Sequence, residues 1–369
     1  MEATSSQPPV VHVSPAYFDP ESNVGGGERY AVELAVAMHR RVPTKLITFG
    51  PRRQSLRING LPVEIYRPLF LLENSKINPV SYEFLGELKD ARVIHCHQYW
   101  TAVTNICQLY ALATRKKLFA TDLGFRGRNW AHRIKGGRLT TGFLLISYFS
   151  AQFYLRYAGK VRVIHGGIDP ERFRPLTVPR EKRVLFVGRL LPHKGIDHLI
   201  KAVDASMELR IIGRAYDPLY FGYLNWLAQG KNVTFKTELD DAELPGEYAS
   251  ATVTVLPSVY RSDNGDVYQQ PELLGLTLLE SMACGTPAIC SDVGAMPEVV
   301  QDGLTGFVVP PSDPVRLGDK LRLLLADPEQ AARLGEAGRQ RVLDYFTWDK
   351  TAERCLQAYA ELAPGFAKN

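Results

Sequence analysis

Residues 271–287 read Pro-Glu-Leu-Leu-Gly-Leu-Thr-Leu-Leu-Glu-Ser-Met-Ala-Cys-Gly-Thr-Pro, in which two glutamates enclose seven mostly apolar residues. A buried carboxylate is costly unless it has partners, so Glu272 and Glu280 are predicted to bind a ligand rather than only to cap and pair locally. Gly275 permits a close backbone approach, and a helix beginning near Leu276 offers its first amides to phosphate.

A second segment, Val184–Gly195, reads as a buried strand that ends at Gly188 and is followed by a loop with two cations. Arg189 provides a bidentate guanidinium and Lys194 a compact ammonium, a pairing that suits a diphosphate. The alternative is a surface loop with two ordinary cations, which the flanking glycines make less attractive.

Two features of the first half also point to ligands. Gly25, Gly26 and Gly27 follow the first predicted strand and open a helix, which favours phosphate binding and a simple turn about equally because the GxGxxG pattern is absent.

His95 and His97 lie two apart on a predicted strand and therefore share a face. We expect His95 to be packed and His97 to contact substrate; no further ligands stand at metal-binding spacing, so no metal site is predicted.

Short apolar runs alternate with amphipathic stretches along the whole chain, which favours a parallel α/β architecture. A proline-containing stretch with few apolar residues separates two halves. The predicted organisation is an N-terminal Rossmann-like domain over 1–170, a linker over 171–182, a C-terminal nucleotide-binding domain over 183–345 and a final helix over 346–369.

The chain of 369 residues has five scattered cysteines, a polar N-terminus and no apolar run long enough to span a membrane. These features predict a cytoplasmic protein.

Residues 1–180 contain 25 lysines and arginines against 13 acidic residues, and 123–168 contain no acid at all. Arg126, Arg128 and Trp130 in that stretch suit an anionic membrane surface or lipid-linked acceptor, whereas the alternative is a soluble enzyme whose basic loops only steer its acceptor.

Taken together, Val184–Lys194, Glu272–Pro287 and Gly303–Pro310 resemble the retaining GT-B glycosyltransferases of family 4, and the resemblance covers nearly the whole chain. It implies two Rossmann-like domains facing across a cleft, with a C-terminal helix that crosses back to the first domain. Thr121–Gly124 departs from the pattern, because relatives often place a histidine there; Asp122 is therefore a candidate for a different acceptor pocket. A polar insertion over Tyr260–Gln270 is a second departure.

The resemblance also implies roles for individual residues. Arg189 and Lys194 would neutralise the donor diphosphate, Glu280 would hold the nucleotide ribose, and Glu272 would hold hydroxyls of the transferred sugar. His97 looks like the active-site histidine of the family. The positions implied for donor binding are Gly26, Gly27, Gly188, Gly275, Leu276, Thr277 and Glu280.

The implied reaction moves a hexosyl group, with retention, from a nucleoside diphosphate sugar to a glycan, glycolipid or small-molecule acceptor. A UDP-sugar, for example UDP-glucose, is the favoured donor and GDP-mannose the next; no cofactor, metal or nucleic acid is expected, and no Asp-x-Asp motif is present. A dehydrogenase is disfavoured because no acid stands at Lys45–Gly50, about twenty residues after the glycines. A sugar-nucleotide epimerase and a basic nucleic-acid-binding protein remain alternatives.

Overall fold

The computed structural model describes residues 10–17, 26–124 and 136–366. The chain forms two compact units, one made of Met1–Gly167 with Trp348–Asn369 and the other of Ile168–Thr347. Each unit has one main sheet with helices between its strands. The prediction of two Rossmann-like α/β domains is therefore confirmed.

The main sheet of the first unit contains eight strands in the order β10-β9-β8-β7-β1-β2-β4-β3. The strands of this unit are β1 Val10–Tyr17, β2 Thr44–Phe49, β3 Gln54–Ile58, β4 Leu61–Tyr66, β5 Phe70–Leu71, β6 Pro79–Val80, β7 Val93–His97, β8 Lys117–Thr121, β9 Gly142–Leu145 and β10 Val161–Val163. The helices between them are α1 Gly26–His39, α2 Ala102–Thr114 and α3 Tyr148–Ala151. The short strands β5 and β6 pair only with each other.

All described pairs in this main sheet are parallel except β3 with β4. Asn59 and Gly60 join these two strands with φ values of 48° and 85°. Two consecutive positive φ angles are what a tight type I′ hairpin requires, and Asn-Gly is its preferred sequence. A hairpin therefore adds an antiparallel edge to an otherwise parallel sheet.

The second unit has a six-stranded parallel sheet in the order β13-β12-β11-β14-β15-β16. Its strands are β11 Glu181–Val187, β12 Glu208–Ile212, β13 Val233–Lys236, β14 Ala251–Leu256, β15 Ala288–Ser291 and β16 Gly306–Val309. Its helices are α4 Ile196–Ala202, α5 Pro218–Leu227, α6 Leu244–Ser250, α7 Leu276–Ala283, α8 Met296–Val299, α9 Pro314–Ala326 and α10 Pro328–Tyr345. All six residues of β14 are buried, as expected for a parallel strand covered on both faces.

The last helix, α11 (Trp348–Leu362), belongs to the first unit and packs against α1 and β9. Its Asp349 carboxylate accepts hydrogen bonds from Arg40 at 3.0 Å and Arg41 at 2.8 Å. Its Tyr359 is fully buried and lies with its hydroxyl 2.8 Å from Nδ1 of His95 on β7. A polar contact in the interior thus joins the end of the chain to the middle of the first sheet.

Within the described residues, no helix combines the length and the apolar character that crossing a membrane requires.

Replacing Tyr359 with Phe should destabilise the first unit, because a buried histidine nitrogen loses its partner. A loss of about 1–2 kcal/mol in the free energy of unfolding is expected. Urea unfolding followed by tryptophan fluorescence measures it. Tyr82→Phe changes a tyrosine that is 62% exposed and is the matched control; equal stability of the two variants would contradict the role given to the Tyr359 hydroxyl.

Candidate active site

The strand order of the second unit reverses direction between β11 and β14. In open α/β sheets, ligands bind outside the carboxyl ends of the strands at such a reversal. The residues that follow β11 are Gly188–Lys194, and β14 is followed by Pro257 and Ser258. The loop singled out by its two cations therefore lies where the topology places a ligand.

Lys194 and Glu272 meet at this reversal. The ammonium of Lys194 contacts Oε1 of Glu272, and the Ser258 hydroxyl donates to the same oxygen at 2.9 Å. The two charged side chains are only 13% and 9% exposed. An ammonium has three N–H donors, so Lys194 retains capacity for a diphosphate while it is held by Glu272.

Two glycines bring the surrounding loops together. A Cβ on Gly195 would lie 2.1 Å from the Pro257 carbonyl oxygen, and a Cβ on Gly294 would lie 2.0 Å from that of Glu272. Both residues also have positive φ, 64° and 60°. Only glycine permits these approaches. The first holds the loop after β11 against the end of β14, and the second holds the loop after β15 against the segment of Glu272.

Helix α7 begins directly after this segment. Gly275 precedes it with a φ of 87°, and the amides of Leu276 and Thr277, at its first turn, have no acceptor inside the helix. Glu280 is the fifth helical residue and is 7% exposed, and Glu272 is 8% exposed, so the predicted burial of both glutamates is confirmed.

Tyr248 on α6 contacts Glu280: its buried hydroxyl donates to Oε2 at 2.7 Å. Tyr248 is not among the residues predicted from the sequence, because 32 positions separate the partners and no local motif marks a tyrosine that precedes a strand.

The cations of the loop after β11 differ in exposure. Arg189 is exposed, whereas His193 and Lys194 are partly buried. Burial lowers the pKa of His193 to about 4, and the positive charges of Lys194 and Arg189 act in the same direction, against an opposing effect of Glu272. His193 is therefore an uncharged ring at neutral pH, beside two positive charges.

The first unit has the same reversal, between β1 and β7, and three histidines lie there. Nδ1 of His12 is 2.9 Å from Nε2 of His97, and the rings of His95 and His97 stack with centroids 4.7 Å apart. His95 and His97 thus share a face as predicted, while Cys96 lies in the hydrophobic core. His12 was not anticipated, since it lies 85 residues from His97 and only strand pairing brings it close.

All three histidines are fully buried, and burial keeps the pKa of each well below the ordinary value; that of His97 is about 3. His95 is engaged on both sides, by the Thr121 hydroxyl at 2.7 Å and by Tyr359. Nε2 of His12 and Nδ1 of His97 have no hydrogen-bond partner among the described residues. Neutral imidazole nitrogens can coordinate a metal ion, but most of the nitrogens of these three rings already form hydrogen bonds with one another or with hydroxyl groups.

A second group with metal-ligand side chains is Asp197, His198 and Asp263. The Lys201 ammonium lies 2.5 Å from Asp263 and 3.8 Å from Asp197. The ammonium of Lys201 therefore supplies a positive charge to the two carboxylates of this group.

The remaining predicted residues belong to the first unit. Gly26 and Gly27 are the first residues of α1. Asp122 is buried and accepts from the Gly124 amide at 3.0 Å and the Tyr154 hydroxyl at 2.6 Å. Gly25, Arg126, Arg128 and Trp130 lie outside the described residues.

Comparisons with known proteins identify the family of this chain. The model of glycosyl transferases group 1 matches residues 168–341, and the model of glycosyltransferase family 4 matches residues 24–172. This chain belongs to glycosyltransferase family 4. Its membership of this family makes it an enzyme of the glycosyltransferase class, as predicted from the sequence.

Individual relatives share part or all of this architecture. An α-maltose-1-phosphate synthase of Mycobacterium tuberculosis is 34% identical over 231 residues, which span 55% of this chain and 57% of that enzyme. The structure of sucrose-phosphate synthase from Thermosynechococcus elongatus matches with a TM-score of 0.70 and 23% identity, over 96% of this chain and 98% of the other. Anabaena HepE in complex with UDP-glucose matches with a TM-score of 0.72 and 16% identity, over 96% and 100%. At these identities the two structures establish the fold.

Protonation of the buried histidines should destabilise the protein in acid. His97 has a pKa of about 3 when folded against about 6.5 when unfolded, so its stabilisation is complete above pH 6.5 and is lost as the pH falls from 6.5 towards 3. Between pH 6.5 and 5 this amounts to about 1.5 kcal/mol. His97→Asn should reduce the loss by that amount in urea unfolding at the two pH values. His39→Asn, at a half-buried histidine, is the control; identical pH dependence in His97→Asn and the unmodified protein would contradict this account.

Proposed function

We propose that this protein transfers a hexosyl group, with retention of configuration, from a nucleoside diphosphate sugar to a glycan, glycolipid or small-molecule acceptor. UDP-glucose is the favoured donor and GDP-mannose the next. The observation that carries the proposal is the buried pair of Lys194 and Glu272 beside the first turn of α7, at the strand reversal of the second unit. The complex of Anabaena HepE with UDP-glucose supports the choice of a UDP-sugar.

The second unit supplies groups suited to the donor. Lys194, Arg189 and the amides of Leu276 and Thr277 face the charge that develops on the leaving diphosphate, where preorganised donors lower the barrier most. Glu280, oriented by Tyr248, accepts from the ribose hydroxyls. Glu272 accepts from hydroxyls of the transferred sugar.

The bond changes of the transfer balance without a further reactant. The bond between the anomeric carbon and the diphosphate oxygen breaks, the acceptor oxygen bonds to that carbon, and its proton passes to the departing phosphate. This scheme includes no metal and no protein base. In the first unit, His97, Gly26 and Gly27 are the residues that we propose for substrate contact, and Asp122 for the acceptor side.

Removing either cation should slow the transfer strongly. Lys194→Ala and Arg189→Ala are each expected to reduce the rate of UDP release from UDP-glucose by about 10²- to 10³-fold. Loss of one preorganised hydrogen-bond donor to the transition state has an effect of this size in other enzymes. Lys182→Ala, an exposed lysine of β11, is the matched control and should retain the full rate. The rate in excess EDTA tests the proposal that no metal takes part.

Several outcomes would refute this scheme. Near-normal turnover by both variants would show that neither cation acts on the diphosphate. Isomerised sugar formed from the donor without any acceptor would indicate an epimerase instead. Tight, strongly salt-dependent binding of polynucleotide with no binding of sugar nucleotides would indicate a nucleic-acid-binding protein.

We also propose that the basic first half contacts an anionic membrane surface. The acid-free stretch 123–168 contains Arg126, Arg128 and Trp130, and in its described part Arg138, Tyr148, Leu155 and Arg156 are exposed. Basic residues beside aromatic and aliphatic ones are typical of reversible contact with anionic lipid.

Sedimentation with liposomes tests this contact. The protein should bind phosphatidylglycerol vesicles at low salt, and the double change Arg126→Gln with Arg128→Gln should weaken binding by about tenfold or more, at about 1 kcal/mol for each cation. The control removes two exposed arginines elsewhere in the same unit, Arg52→Gln with Arg57→Gln. Absence of lipid binding at low salt, or equal loss in both double variants, would favour a soluble enzyme whose basic loops only steer the acceptor.

A further inference from the structure

The polar insertion between β14 and α7 folds back on itself. Arg261 and Val267 form an antiparallel bridge, and the Tyr268 amide donates to the Tyr260 carbonyl at 2.8 Å. Gly265 makes the turn with a φ of 92°, and the Ser262 amide donates to the Asp266 carbonyl at 3.0 Å. We call residues 260–268 the insertion hairpin. It leaves the sheet at the carboxyl end of β14, directly at the strand reversal.

Three contacts fix the insertion hairpin to the second unit. At its base, the Tyr260 hydroxyl accepts from the Gly294 amide at 2.8 Å, and the preceding Val259 amide donates to the His193 carbonyl at 2.9 Å. At its tip, Asp263 lies 2.5 Å from the Lys201 ammonium of α4. The hairpin is therefore held at both ends.

These contacts place Tyr268 beside the proposed donor site. Its ring lies against that of His193, with centroids 5.0 Å apart and planes inclined by 44°. His193 precedes Lys194, which contacts Glu272. Tyr268 is partly exposed and so remains accessible to a ligand, and the neighbouring Val267 is 62% exposed.

We propose that Tyr268, packed on His193 by the insertion hairpin, is a specificity-determining residue that selects the transferred sugar of the donor. This inference rests on the proposed function. The C–H groups of a pyranose form an apolar patch whose shape changes between epimers, and an aromatic ring is the side chain that reads such a patch. The neutral His193 ring adds a hydrogen-bonding nitrogen without adding charge.

The contacts favour the donor sugar over the acceptor. All the groups that fix the hairpin belong to the second unit, and Gly294, which bonds to Tyr260, packs directly against the Glu272 carbonyl. Glu272 is the residue proposed to hold hydroxyls of the transferred sugar. The hairpin therefore borders the position of that sugar rather than that of the nucleotide.

Calorimetric titration with UDP, UDP-glucose, UDP-galactose and UDP-N-acetylglucosamine tests the proposal, because these ligands differ only in the sugar. Tyr268→Ala should leave the Kd of UDP within about twofold. It should reduce the selectivity ratio, which is the Kd of the second-best UDP-sugar divided by the Kd of the best, by about tenfold, the size of one aromatic contact. Tyr268→Phe should retain the ratio, since the ring and not the hydroxyl carries the effect. Val267→Ala, on the same strand of the hairpin, is the matched control.

A second variant keeps the proposal testable if Tyr268→Ala fails to fold, as judged by its melting temperature. Asp263→Asn weakens the exposed contact to Lys201 and should reduce the same ratio by about twofold, an effect expected of one exposed ion pair. Its control is Asp266→Asn, which changes a hairpin carboxylate without a contact to α4 among the described residues.

Three results would overturn the proposal: an unchanged ratio in Tyr268→Ala, or in Asp263→Asn where the first variant is unfolded; equal weakening of UDP and all UDP-sugars; or an altered acceptor preference with an unchanged donor ratio. Failure of the proposed function itself is distinct, because the unmodified protein would then bind neither these four ligands nor GDP-mannose.

Discussion

The parallel pairing of β11 with β14, and of β1 with β7, is the constraint on which the rest of each unit depends. Parallel neighbours cannot be joined by a tight turn, so the chain crosses over through helices and reverses its direction of growth at these pairs. The reversal leaves a place at the carboxyl ends of two strands that no crossover covers. Lys194 and Glu272 of the second unit and His97 of the first unit lie there.

In the second unit, the site combines charge that is buried with charge that is exposed. Glu272 neutralises Lys194 in the protein interior, where an unpaired ammonium would be costly. Arg189 remains exposed. In the proposed donor site, a diphosphate would meet one cation that is already oriented by a carboxylate and another that is exposed, while the first amides of α7 add positive potential without any side chain.

In the first unit, histidines occupy the corresponding position. Burial keeps the His12, His95 and His97 rings neutral, so each can donate and accept a hydrogen bond. The contact between His95 and Tyr359 links this position to α11, which folds back from the end of the chain. The stability of the first unit and the arrangement of its polar interior are thereby coupled.

The sequence by itself determined the local elements: the alternation of strands and helices, the burial of Glu272 and Glu280, the glycine before α7, and the shared face of His95 and His97. These depend on the periodicity and conformational preferences of neighbouring residues. The Asn59-Gly60 hairpin also follows a local pattern. Only the tertiary structure decided that His12 joins His97, Tyr248 orients Glu280, Tyr359 reaches His95 and Tyr268 packs on His193. Those partners are 32 to 264 residues apart, and strand order and helix packing, which no local pattern encodes, bring them together.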